Sequence, residues 1–304
     1  MKKTPNKQKW KTMIIIIGVL FFISWFLAAV ISAFSGEEKT FGNVALIPIK
    51  GTITTGSEDF FSGYTTSSSR IVDKIEQAEN DNSIKAVIFE IDSGGGGPVA
   101  SEEIARAIER LNKTTVAWIR EMGASGAYWA AASTDRIFAS KVSIVGSIGV
   151  LSSGLEFSRF LEEHNITHIR LVGGEYKDIG SPLKEMTYSE KQLLQKKIDL
   201  THEYFLNDVA RLRNLNESTK EEVGTAMIYI GMEAINFGLV DEIGSKADVV
   251  FYLEKKLNTT VNVKSYADKK SFLDVLEKLV SAQGFQMGRG MANFLNEKNN
   301  LMST

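Results

Sequence analysis

Apolar and polar positions divide the chain into three regimes. Residues 13–34 (MIIIIGVLFFISWFLAAVISAF) run without a single charge, and a helix of about 20 such residues is long enough to cross a bilayer. From residue 41 the apolar stretches shorten and alternate in kind. Residues 41–50 (FGNVALIPIK) predict a buried strand, and 51–69, rich in Gly, Ser and Thr, predict a loop. Helical spacing over 69–78 (Ile71, Val72, Ile75) is followed by KAVIFEID, 85–92, a continuous apolar run of the parallel-strand kind. That run stops at SGGGGP, after which 99–111 returns to helical spacing. Strand, glycine turn and helix in this order mark a βα unit whose binding site lies at the C-terminal end of the strand.

The pattern repeats further on. A strand at 115–119 gives way to a helix from Ser125; strands are predicted at 136–139, 143–150 and 168–172, with a helix at 157–163 between the last two. A loop punctuated by Gly and Pro at 173–182 holds Lys177. A long amphipathic helix over 189–212 and a short one over 232–236, ended by Gly238, come next. Residues 246–282 alternate helix, strand (261–266) and helix, and the polar tail from 286 predicts a loose end. The expected organisation is a basic tail at 1–12, a membrane anchor at 13–34, one α/β domain at 41–285 and a tail at 286–304.

Charge refines the first regime. Lys2, Lys3, Lys7, Lys9 and Lys11 precede the apolar run and Glu37 and Glu38 follow it. By the positive-inside rule the N-terminus is cytoplasmic and the domain lies across the membrane. A cleaved signal peptide fits less well, because its apolar core runs to about 7–15 residues. The net charge of −2 offers no basic surface for nucleic acid. The absence of cysteine excludes disulfides, thiolate catalysis and cysteine-bound metal.

The chemistry concentrates in EMGASGAYWAAAS, 121–133, where Ser125 stands between small residues at a strand-to-helix junction. A serine there is either an N-cap or a nucleophile stabilised by the helix's unpaired amides. The G-x-S-x-G elbow motif is broken by Ala127. Three histidines, His164, His168 and His202, lie in helical or strand settings poorly suited to a triad. Lysine is the other base that activates serine. It titrates near 10.4 in water, so working near neutral pH requires a depression of roughly 3–4 pH units, which burial supplies. Lys177, in its tight loop, is the candidate, although an ion pair with neighbouring Asp178 would keep it charged. Glycines 94–97 lack the Lys-Ser/Thr of a phosphate loop, and their amides suit an oxyanion instead.

KAVIFEIDSGGGGPVASEEI, MGASGAYWAA, GSIGV and YKDIGSPLKEMT, in this order, resemble the motifs of the signal peptide peptidase A family, membrane-bound serine–lysine endopeptidases. The resemblance covers most of residues 43–245. It implies a caseinolytic protease/crotonase-like fold of stacked ββα units, preceded by one N-terminal transmembrane helix and assembled into closed homo-oligomers. It also implies cleaved signal peptides and similar apolar peptides as substrates, and no metal or other cofactor. Ser125 resembles the nucleophile, Lys177 the general base and Ser147 the residue that orients it. Gly95 and Gly126 resemble the oxyanion donors, with Gly96 possible in place of Gly95. Gly94 stands where the family has proline, which implies a looser turn. The other readings are a related membrane protease with a different substrate and an inactive scaffold of the same fold.

Overall fold

A computed structural model describes residues 7–34, 42–56 and 65–267. The expected tail at 286–304, and the end of the domain at 268–285, lie outside the described residues. Helix α1 (Lys7–Phe34) covers the long apolar run. Many of its described side chains are open, among them Phe21 at 74 % and Phe22 at 63 % exposure. Among the described residues no helix is long and apolar enough to cross a membrane.

Residues 41–267 form a separate compact unit built on a mixed α/β plan. Its strands are β1 (Val44–Lys50), β2 (Thr52–Thr54), β3 (Thr65–Ser67), β4 (Ala86–Ser93), β5 (Thr114–Ala124), β6 (Arg136–Ala139), β7 (Ile144–Gly146), β8 (Ile228–Ile230), β9 (Glu242–Ile243) and β10 (Val263–Ser265). The main sheet runs β10-β1-β4-β5-β6-β9 and is parallel; β7 joins β5 in parallel, and β8 joins β7 antiparallel. Successive side chains of a strand point to opposite faces, so each continuous apolar run feeds two cores. Ala45, Ile47, Val87, Phe89 and Ala117 pack on one face; Val44, Leu46, Ala86, Ile88 and Val116 pack on the other.

The first face is covered by α2 (Ser68–Asn80), α3 (Pro98–Arg110), α4 (Gly126–Ala132) and α6 (Tyr188–Arg213). The second is covered by α9 (Lys246–Leu257) through Val249 and Leu253. The remaining helices are α5 (Ser158–Glu163), α7 (Glu217–Val223) and α8 (Gly231–Ala234).

Four expectations change. The loop expected over 51–69 holds β2 and β3, which pair in parallel as a small sheet of their own. Strand β5 continues five residues past Ile119 because Met122–Ala124 find a new partner in β7. The strand expected over 143–150 shrinks to Ile144–Gly146, since Gly146 and Ser147 turn the chain with positive φ. No strand forms at 168–172, where no neighbouring strand covers the apolar side chains and Leu171 is 93 % exposed.

Candidate active site

The break in β5 builds the site. Thr114–Ile119 pair with β4 up to Ile91, and the register then slips so that Ser93 faces Gly123. This slip sets the Ser93–Gly97 turn beside the Gly123–Ser125 end of β5. Ser125 follows with φ 52° and ψ −128° and α4 begins at the next residue. Its amide donates to Gly146 O at 2.8 Å. Ser125 stands at the N-cap position of α4, but its side chain makes no capping hydrogen bond to the helix. The strand-to-helix junction at Ser125 is thus a strained turn, formed without the glycine that the elbow motif has at position 127. Ala127 is fully buried in the core, and the turn works with a methyl group there.

Crowding dictates the glycines. A Cβ on residue 126 would lie 2.0 Å from Ser101 Oγ, and one on residue 95, whose φ is +93°, would lie 2.7 Å from Gly126 N. The Gly95 amide donates to Ser93 Oγ at 3.1 Å, and Ser93 Oγ donates to Gly51 O at 2.5 Å. Ile53 bridges Gly96 in parallel, its amide donating to Gly95 O while its carbonyl accepts from Gly97 N, both at 2.9 Å. In that arrangement the Gly96 N–H points away from β2. Its nitrogen lies 3.5 Å from the Cβ position of residue 126. The Gly126 amide, at the first position of α4, has no partner within its helix. Ser93 and β2 thus brace a turn that lacks the expected proline.

Ser147, half-buried with φ 52°, closes the other side. Its amide donates to Met227 O at 2.9 Å, and its carbonyl accepts from Gly149 N. Gly96, Gly126 and Ser147 share a cleft of about 340 Å³ with the apolar walls of Trp129, Leu151 and Phe205. Trp129 is fixed from α6: its ring stacks on Phe205 at 4.7 Å and its Nε1 donates to Asp208 at 2.7 Å. Burial, the largest influence on Asp208, pushes its carboxyl up. The Trp129 and Arg211 hydrogen bonds and the charges of Arg106 and Arg211 together outweigh it and hold the carboxyl below its usual range.

The sequence profile of peptidase family S49 matches residues 107–260, half of the chain, a span that includes the Ser125 elbow, Ser147 and Lys177. The chain belongs to peptidase family S49. A Methanocaldococcus jannaschii protein named as a putative protease is 38 % identical over 62 % of this chain and 61 % of its own length. An Enterococcus faecium protein named as a putative signal peptide peptidase is 31 % identical over 71 % of this chain and 64 % of its own. Protease 4 of Haemophilus influenzae is 31 % identical over 71 % of this chain. The chain spans about three fifths of the first two relatives and 35 % of the third. A solved structure described as a membrane-bound stomatin-specific protease aligns with 75 % of this chain and 98 % of its own at TM-score 0.46 and 15 % identity.

For a serine peptidase of family S49, the position of the base matters most. Lys177 is exposed and does not line the cleft. Asp178 is not its partner: Arg170 bonds the Asp178 carboxylate, Lys184 reaches it at 3.1 Å, and together they hold it well below the usual carboxylate range. Lys184 also reaches Glu190 at 2.6 Å, in the capping box of α6. The Lys177 loop is therefore pinned to the start of α6. Of the histidines, His164 and His168 are exposed. His202 sets its Nε2 3.0 Å from Ile148 O, one residue from Ser147. A nitrogen facing a carbonyl carries the proton, so this one supports the cleft wall and is not poised to accept.

Proposed function

We propose that this S49 peptidase is a membrane-anchored serine endopeptidase in which Ser125 attacks the peptide carbonyl and Lys177 is the general base. The observation that carries the proposal is Ser125 itself, in a strained turn with its hydroxyl unused by the helix and directly before Gly126, which lines the apolar cleft. In this reading Ser125 Oγ transfers its proton to neutral Lys177 as it bonds to the carbonyl carbon. The oxyanion takes hydrogen bonds from the amides of Gly96 and Gly126. We favour Gly96 over Gly95, whose amide is already occupied by Ser93. Lys177 then returns the proton to the leaving amine, and water releases the acyl group by the reverse sequence. Ser147 orients the lysine.

Lys177 does not line the cleft of its own chain, and Leu151, Leu155, Ile169 and Leu171, in the chain leading to it, are exposed at 75 % or more. Both features support a homo-oligomer in which a neighbouring chain covers those apolar residues and completes the dyad. The caseinolytic protease/crotonase-like architecture, with its closed assemblies, is the fold we assign. Helix α1 serves as the anchor, with five lysines before the apolar run to keep its start cytoplasmic and the catalytic domain extracytoplasmic. Remnant signal peptides are the proposed substrates, supported by the apolar cleft and by the name of the Enterococcus relative.

A fluorophosphonate probe tests the reading. It is expected to label the wild-type chain, to label Lys177→Ala weakly or not at all, and to leave Ser125→Ala unlabelled. Equal labelling of wild type and Ser125→Ala, or no peptide cleavage by the wild-type oligomer, overturns the enzyme in favour of a scaffold.

A further inference from the structure

Among the described residues, six that are not glycine have positive φ: Ser125, Ser147, Asn165, Asn214, Ala226 and Asn258. The asparagines need no special account. Asn214 and Asn258 are left-handed C-caps of α6 and α9, Asn165 follows the end of α5, and asparagine tolerates this region better than other side chains. Of the other three, Ser147 and Ala226 line one cleft, and Ser125 directly precedes Gly126, which lines it too. Ser125 and Ser147 have roles there already; Ala226, at φ 61°, has none.

An alanine has no polar group to justify a left-handed backbone, and glycine would adopt it without strain. The methyl group must therefore be read for what it touches. Ala226 is half-buried and lines the same cleft as Ser147 and Trp129. It faces Gly149 so closely that a Cβ on residue 149 would lie 2.5 Å from the Ala226 Cβ. The turn carrying it is held on both sides. Ala226 N donates to Val223 O at 3.2 Å, Val223 is fully buried, and a Cβ on Gly224 would lie 2.7 Å from the Leu206 side chain of α6. On the other side Met227 O accepts the Ser147 amide. A wall fixed between α6 and Ser147 has little room to yield to a bulky group.

We infer that Ala226 is a specificity-determining residue: its methyl group limits the size of the apolar substrate side chain lodged in the cleft beside Ser125. The inference rests on the reading of this cleft as the peptide-binding site. Position 226 then acts on choice of substrate, and the chemistry at Ser125 is left to other groups.

The test uses the full chain in detergent micelles and apolar peptides whose residue before the cleaved bond is Ala or Phe. Ala226→Gly removes the methyl and the strain together. Ala226→Asn keeps a backbone tolerant of positive φ and adds volume. The Phe-to-Ala ratio of kcat/KM is expected to rise at least ~10-fold in Ala226→Gly and to fall by a similar factor in Ala226→Asn, the size expected for small changes in an apolar pocket. An unchanged ratio in both folded variants, or a shift in the opposite direction, overturns the inference. The same two peptides are titrated by calorimetry against each variant in a Ser125→Ala background. There the affinity ratio reads the wall without any cleavage. A ratio that shifts as expected, in a protein whose Ser125-containing form never cleaves, supports Ala226 and removes the protease reading; cleavage with a constant ratio does the reverse.

Discussion

Lys177→Arg keeps the positive charge at position 177 but cannot give up a proton at any accessible pH. With Asp178 bound to Arg170 and Lys184, no pairing with that neighbour explains a lysine at 177. Peptide cleavage by Lys177→Arg is expected to fall at least ~10³-fold in kcat, as far as it falls in Ser125→Ala; near-normal turnover removes Lys177 as the base. Ser147→Ala is expected to cost more than ~10-fold in kcat with an unchanged circular dichroism spectrum, since one positioning hydroxyl is lost while the Met227 O bond to its amide remains. Part of the candidate cleft is legible in the residues, namely the small neighbours of Ser125 and the serine in GSIGV, whereas the lysine of the punctuated loop lies outside that cleft. Two things are not legible. The use of the Gly95 amide by Ser93 is a contact between backbone and side chain that no spacing encodes. The elbow is hidden because its motif asks for glycine where the backbone requires only a small side chain.

At the scale of elements, α4 follows directly on Ser125 and is tied to α6 by Trp129, Phe205 and Asp208. Asp208→Ala leaves Trp129 Nε1 and two arginines without their carboxylate and is expected to destabilise the domain by about 3 kcal/mol, read as a fall in Tm. The sign of the acid response follows from the depressed carboxyl. The stabilisation is fully present above the unfolded value near 4 and is lost as pH falls below it. Wild type should therefore lose Tm below about pH 4 more steeply than Asp208→Asn; equal slopes remove Asp208 from the account. Elements with strong periodicity, such as β1, β4, α2 and α3, can be read from the sequence because their apolar faces are buried within one chain. Helix α7 escapes such a reading because ESTKEEV buries only Val223. Strands β8 and β9 escape it because two or three residues hold no pattern. The strand expected at 168–172 shows the converse, an apolar alternation with no sheet in its own chain to receive it.

For the whole molecule, Leu151, Ile169 and Leu171 expose the apolar surface that an assembly would cover. Ile169→Asp together with Leu171→Asp, both outside the cleft, is expected to give a monomer by light scattering and to abolish cleavage while Ser125 stays in place. Mixing Ser125→Ala with Lys177→Ala chains should restore part of the activity if neighbouring chains complete each site; a mixture as inactive as its components argues for a base within the chain. The conformation of Ser125 has a consequence for the folded molecule as a whole. Strain of this kind stores about 1–3 kcal/mol, and glycine releases it while giving back part through its freer unfolded chain. Ser125→Gly is thus expected to be catalytically dead and yet to melt roughly 2–4 °C higher than the wild type. In the proposed reading heat resistance and reactivity are set against each other at one residue, and a calorimeter reads out its strain without any substrate.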